Sequence, residues 1–272
     1  MWVVQNSFGV KRNLPQVGFR ILSTGKSERV HVTFSRQDWS DYIRQDGEMP
    51  AQENSRVIED YVTLIWKASE WPGDGLRVTT SDLASALQVT PSTVSANLKK
   101  LAREELINYE PYGDIGLTDA GERIALDVVR RHRLLETYLV EFLGFQWDEV
   151  HDEADRLEHA ASDLLIERID AMLGHPTVDP HGDPIPRPGI DVSVPARLLT
   201  SCRDTETVRV ARVSDANPAI LRFLSDRNIT VGSDLEVITP MSTTGLMTIR
   251  HADTTIELST VIATAIHVSD PH

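Results

Sequence analysis

The stretch that most limits what this chain can fold into runs from Thr79 to Arg103, where two short helical patterns stand about three residues apart. Thr79 or Thr80 is placed to cap the first, which carries Leu83, Ala84 and Leu87. Thr90-Pro91 opens the second, with proline at a first helical position that needs no N–H donor, and Val94, Leu98 and Leu101 follow on one face. That spacing predicts a helix-turn-helix. The segment Tyr109 to Leu117, with Gly113 and Gly116 around Asp114-Ile115, reads as a short hairpin or wing, and Thr118 as the cap of the next helix.

Charge sharpens this reading. A formal net charge of −14 argues against indiscriminate nucleic-acid binding. Yet no Asp or Glu occurs between Leu83 and Arg103, where Lys99, Lys100 and Arg103 supply positive charge. The second helix is expected to offer Thr90, Ser92, Thr93, Ser95, Asn97, Lys99, Lys100 and Arg103 to base edges and phosphates. An interaction domain of the same shape that binds no DNA is the alternative.

At 272 residues with 40% hydrophobic content the chain is long enough for two or three domains. No apolar run approaches a membrane span and the N-terminus lacks a secretory layout, so the expected location is the cytoplasm. The single cysteine, Cys202, excludes an internal disulfide and cysteine-rich zinc sites, leaving oxygen and nitrogen as metal ligands. Residues 1–52 show no sustained helical period and are expected to be a disordered extension, with Met49 a candidate alternative start. From Ser55, Val57, Tyr61, Leu64, Ile65 and Ala68 mark an amphipathic helix with Asp60 at the edge of its buried face.

A long helix is expected from Asp119 to about Leu143, with His132 and Glu136 four apart. Beyond Gly144, His151, Asp155, Glu158 and His159 fall at i, i+4, i+7 and i+8 and share a helix face. Six acids between Asp148 and Glu158 repel unless something neutralises them, as a divalent cation would. A solvated acidic helix with incidental histidines is the plainer alternative. Another helix carries Leu165, Ile169, Met172 and Leu173, apolar enough for a dimer contact. Prolines 180, 184, 186 and 188 suggest a stiff, extended linker. Strands are then expected at 208–213, 235–238, 246–249 and 255–258, with a short helix at 219–224. The fold class is mainly α with a small β domain. The expected division is a winged helix-turn-helix over 53–121, a helical metal-binding and dimerisation domain over 122–180, a linker over 181–200 and a small barrel over 201–270.

Three motifs occur in order behind the winged helix: Arg131-His132-Arg133-Leu134-Leu135-Glu136, the stretch His151 to His159, and Asp179-Pro180-His181-Gly182-Asp183-Pro184-Ile185-Pro186. On these the chain resembles the DtxR/MntR family of metal-dependent repressors. The resemblance implies a primary metal site of Asp60, Asp155, Glu158 and His159 and an ancillary site of His132, Glu136 and His151. It implies an SH3-like third domain, with Asp215 as candidate for an acidic ligand from it. It also implies a homodimer on a palindromic DNA operator, repressing metal-uptake genes.

Iron-sensing members place Met and Cys where this chain has Asp60 and Asp155, so hard oxygens replace sulfur and Mn2+ is the expected metal, with Fe2+, Co2+ or Zn2+ as substitutes. Thr63 stands where shorter manganese sensors carry a further Glu. Three rivals follow: an iron-responsive repressor of the same family, a constitutive regulator with degenerate metal sites, and, more distantly, a metal-dependent hydrolase. No separate nucleophile or general base supports the last.

Overall fold

The computed structural model describes residues 49–70, 78–110, 113–187 and 196–271 of the chain. Residues 1–48 of the expected extension lie outside these; Met49–Gln52 belong to the first helix, α1 (Met49–Glu70). The architecture below is that of the unit from Asn54 onward.

Helix α1 is followed by α2 (Thr80–Ala86) and α3 (Pro91–Arg103), both capped by threonine. Thr79 and Asp82 exchange bonds with each other's backbone in a capping box, which sets the first turn of α2. Thr90 accepts from the Thr93 N–H at the start of α3. Tyr61, Ile65, Leu83, Val94, Leu98, Leu101 and Ile107 form one core, which fixes the angle between the paired helices. The buried face of α1 is broader than expected: Val62 and Thr63 are buried whereas Val57 and Ala68 are exposed. α1 packs on the helix-turn-helix and also reaches the following domain, so a one-sided amphipathic pattern undercounts its contacts.

The wing is an antiparallel pair, β1 (Ile107–Tyr109) and β2 (Ile115–Leu117). Thr118 then caps α4 (Asp119–Leu143). Gly121 in its first turn is required, since a Cβ there would lie 2.0 Å from the Leu106 carbonyl oxygen. α4 ends at Gly144, in the left-handed conformation that glycine adopts without strain. Helices α5 (Val150–Glu158) and α6 (Asp163–Met172) pack along it around Leu134, Leu135, Ala154, Ile166 and Ile169.

The third unit is a six-stranded antiparallel sheet in the order β3-β8-β4-β5-β6-β7. Its elements are β3 (Arg197–Leu198), β4 (Thr207–Val213), α7 (Pro218–Ser225), β5 (Asp234–Thr239), β6 (Leu246–His251), β7 (Thr254–Ser259), α8 (Thr260–Thr264) and β8 (Ile266–Ser269). Alternate residues of the strands, such as Val208 and Val210 or Leu235 and Val237, point into one core. β3 and β8 were not expected from the sequence. The two-residue β3 and the four-residue β8 are too short to display a period, and β8 becomes central only by pairing with β3 and β4.

Residues 181–187, expected as the start of an extended linker, are instead a packed turn in which His181 and Ile185 are fully buried. Its prolines do not extend it because Gly182, at φ +86°, turns the chain against the third unit. A Cβ at Gly182 would lie 2.0 Å from the Ala211 carbonyl oxygen. The Val213 N–H donates to the His181 carbonyl and Arg212 Nε to Asp183 Oδ1. A second contact is made by Trp147 Nε1, which donates to Ser225 Oγ. These bonds hold the end of β4, and hence Asp215 just after it, against the helical domain.

Candidate metal centre

Helix α4 offers His132 and Glu136 from successive turns of one face, 3% and 1% exposed. α5 brings His151 from its first turn and Asp155 and Glu158 from its later ones, with His159 at its C-cap. His132 Nε2 lies 3.0 Å from Glu136 Oε1 and 3.1 Å from His151 Nδ1, and His151 Nδ1 lies 2.9 Å from Asp215 Oδ2. One ligand atom from each of these four residues falls within 4.8 Å of all the others. The residues expected in the ancillary set, with Asp215, are thus brought together.

The residues expected in the primary set meet less completely. His159 Nε2 lies 2.9 Å from Asp60 Oδ1 of α1 and 3.2 Å from Glu158 Oε1. Glu158 Oε2 turns the other way, 2.6 Å from His132 Nδ1, and Asp155 Oδ1 is 3.2 Å from the same nitrogen. Asp155 therefore gathers with His132 and Glu158, and its contacts do not reach Asp60 or His159 directly. Glu158 joins the two clusters.

The carboxylates and histidines of these clusters shift one another's proton affinities. Against the cost of burial, the Asp215 and Glu136 carboxylates raise His151 to about 9. Hydrogen bonds to Asp60 and Glu59 raise His159 to about 9. Burial is likewise outweighed at Glu136 and Asp155, whose contacts with His132 hold them below the usual carboxylate range. The ion pairs of Asp60, Glu136, Asp155, Glu158 and Asp215 run to histidine, so in the absence of a cation protons on the imidazole rings would supply the countercharge. A divalent cation fits this donor set: it would replace those protons, and every donor is oxygen or imidazole nitrogen. Cys202, by contrast, is buried in the third unit, where Arg197 Nη1 donates to its sulfur.

A third convergence was missed from sequence. Glu136, Asp179 and His181, all buried, also place ligand atoms within 4.8 Å of one another. Glu136 Oε2 faces His181 Nδ1 at 3.7 Å, while Oε1 faces His132 and His151, so the two oxygens address two clusters. His181 Nε2 donates to the Trp147 carbonyl at 2.7 Å, and Nδ1 makes no hydrogen bond. The signal lay in Asp179-Pro180-His181, read only as a family motif and as linker.

The profile of the iron dependent repressor N-terminal DNA binding domain matches residues 53–115, that of the iron dependent repressor metal binding and dimerisation domain residues 118–187, and the FeoA domain residues 197–270. The iron-dependent repressor IdeR of Mycobacterium leprae is 30% identical over 205 residues, covering 75% of this chain and 84% of the relative. The chain belongs to the DtxR family of metal-dependent repressors.

Among solved DtxR-family structures, a manganese-dependent transcriptional repressor in complex with manganese is 47% identical, with a TM-score of 0.73, covering 79% of this chain and all of the other. The apo form of the manganese-activated repressor ScaR is 31% identical, with a TM-score of 0.68, covering 78% and 100%. Mainly helical domains followed by a small antiparallel, SH3-like sheet domain are therefore the family fold.

In a DtxR-family reading head the residues of α3 divide into two groups. Thr90, Ser92, Thr93, Lys99 and Arg103 are exposed, and Lys100 is half-buried with its ammonium 4.0 Å from Glu104. Ser95 and Asn97, expected to face DNA, have partners within the protein. Ser95 Oγ donates to the Pro91 carbonyl, and Asn97 Nδ2 donates to Tyr61 Oη at 3.1 Å. Asn97 flanks the Val94-Leu98-Leu101 face, where α1 crosses it. Among the described residues no helix is long and apolar enough to cross a membrane.

Proposed function

We propose that this DtxR-family repressor responds to Mn2+, with the metal held in two neighbouring groups. His132, Glu136, His151 and Asp215 make one; Asp60, Glu158 and His159, with Asp155 beside them, make the other. The observation that carries the reading is the donor set: carboxylate oxygens and imidazole nitrogens converge from α1, α4, α5 and the end of β4 without a sulfur. Mn2+ is the weakest binder of its series and is selected by hard ligands rather than by affinity. The 47% identity to a manganese-dependent repressor points the same way. Asp179 and His181 are candidates for additional ligands sharing Glu136.

When bound, the cation supplies the positive charge that lets these carboxylates stand together without protons. The protein's part is geometric. Asp60 lies on the helix that forms the core of the reading head, so holding it to His159 and Glu158 fixes that head on the helical domain. The helical domain presents an apolar groove of Leu135, Tyr138, Leu139, Leu143, Leu165 and Met172, with Leu143 and Met172 58% and 57% exposed. This is the surface on which a second copy pairs. Two heads so fixed would enter successive major grooves of a palindromic operator, with Lys99, Lys100 and Arg103 near phosphates and Thr90, Ser92 and Thr93 near base edges. Because coupling is reciprocal, DNA tightens metal binding by the same factor, commonly about 1–3 kcal/mol. Repression of metal-uptake genes is the proposed output.

Operator capture at fixed salt, with chelator and then with Mn2+, Fe2+ or Zn2+, tests the reading. Mn2+-dependent capture is expected. Equal capture in chelator and Mn2+ would return the constitutive regulator, and an Fe2+-only response the iron sensor.

A further inference from the structure

We infer that Glu59 is a positioning residue that turns His159 so that Nε2, not Nδ1, is presented for metal binding. The inference rests on the proposal that Asp60, Glu158 and His159 hold a cation. His159 Nδ1 lies 2.6 Å from Glu59 Oε2, while Nε2 lies 2.9 Å from Asp60 Oδ1 and 3.2 Å from Glu158 Oε1. A cation needs several donors, and two carboxylates flank Nε2 where one flanks Nδ1. The metal therefore belongs on the Nε2 side, which leaves Glu59 as the outer carboxylate of a carboxylate–histidine–metal chain. Such a carboxylate selects the tautomer, orients the ring and makes the coordinating nitrogen more basic.

Glu59 is itself held. Its Oε1 accepts from Ser55 Oγ at 2.8 Å, one turn earlier on α1, which leaves Oε2 free for the ring. Glu59 and Asp60 are consecutive on α1 and so point about 100° apart, gripping the two nitrogens of one imidazole from different sides. The side chains of His159 and Glu59 are 11% and 26% exposed, so water competes only partly for this bond. A proposed ligand of the helical domain is in this way oriented by the helix that carries the reading head.

The test uses the full chain with Co2+ as probe, read by its visible d–d absorption, in wild type, Glu59→Gln, Glu59→Ala and His159→Ala. The relevant phase of the titration is the one that His159→Ala weakens or removes. In that phase Glu59→Gln and Glu59→Ala are expected to weaken Co2+ by about 10- to 100-fold, the alanine variant more, as for loss of an outer carboxylate. At saturation both should keep the wild-type bands, because no ligand is lost. Wild-type affinity in both variants overturns the inference, as does a lower unfolding midpoint in chelator without a change in affinity. Altered bands at saturation also overturn it, by making Glu59 a ligand. If His159→Ala leaves the whole titration unchanged, the proposed site falls together with the inference; if it weakens binding and the Glu59 variants do not, only the inference falls.

Discussion

Single residues carry the docking of the third domain. At Gly182 the left-handed backbone and the 2.0 Å separation between a built Cβ and the Ala211 carbonyl forbid any side chain without movement. Gly182→Ala is therefore expected to cost at least about 1–3 kcal/mol in denaturant unfolding, from backbone strain before the clash is counted. His267 makes stability depend on pH. Burial, and then the nearby Arg212 charge, hold it at about 4. Below about 6.5 the unfolded chain takes a proton that the folded chain refuses until about 4, so stability present above that window is lost as pH falls through it. His267→Gln should show a smaller drop in unfolding midpoint between pH 7 and pH 5, measured in chelator; an equal drop would count against it. At this scale the sequence was informative where donors repeat along one helix, as in His132 and Glu136 or His151 and Asp155. It was silent on Glu59 because the ring that gives it a role comes from a different helix, and it did not pair Asn97 with Tyr61 because only the crossing of α1 brings the two together.

Whole elements decide what the reading head can do. α3 leaves Lys99 and Arg103 exposed on one side while Val94, Leu98 and Leu101 fix the other. If Lys99 meets a phosphate, Lys99→Ala should weaken operator binding about equally for all sequences and reduce the slope of log K against log salt by about 1. Asn97→Ala should instead leave that slope unchanged and lower stability by about 1 kcal/mol, since it removes the bond to Tyr61. Helices α2, α3, α4 and α6 were legible because each begins with a threonine or serine cap ahead of regularly spaced apolar residues. β8 was not, because its four residues acquire meaning from partners far away in sequence.

The whole molecule is tied together by a buried charge network. Arg133 on α4 donates to Glu70 of α1, to the Pro184 carbonyl and to Asp183, while Arg212 of β4 reaches Glu70 at 3.2 Å and Asp183 at 2.6 Å. Reading head, helical domain and third domain meet in one cluster. Removing Arg133 leaves Arg212 as the remaining cation for the buried Glu70 and Asp183 carboxylates, so Arg133→Met is expected to cost about 3–5 kcal/mol in unfolding free energy. Metal acts on the same scale: Mn2+ at 100 times its Kd should raise stability by about 2.7 kcal/mol, and a chelator should reverse the gain. The position of Asp215 has a consequence for synthesis. Asp60, His132 and His151 leave the ribosome before it, and the turn at Gly182 has no surface to close on until β4 has formed. A truncated or half-made chain would carry the reading head, the pairing helices and the Asp60, Glu158 and His159 group, yet on the proposed reading it would lack the fourth donor beside His132, Glu136 and His151.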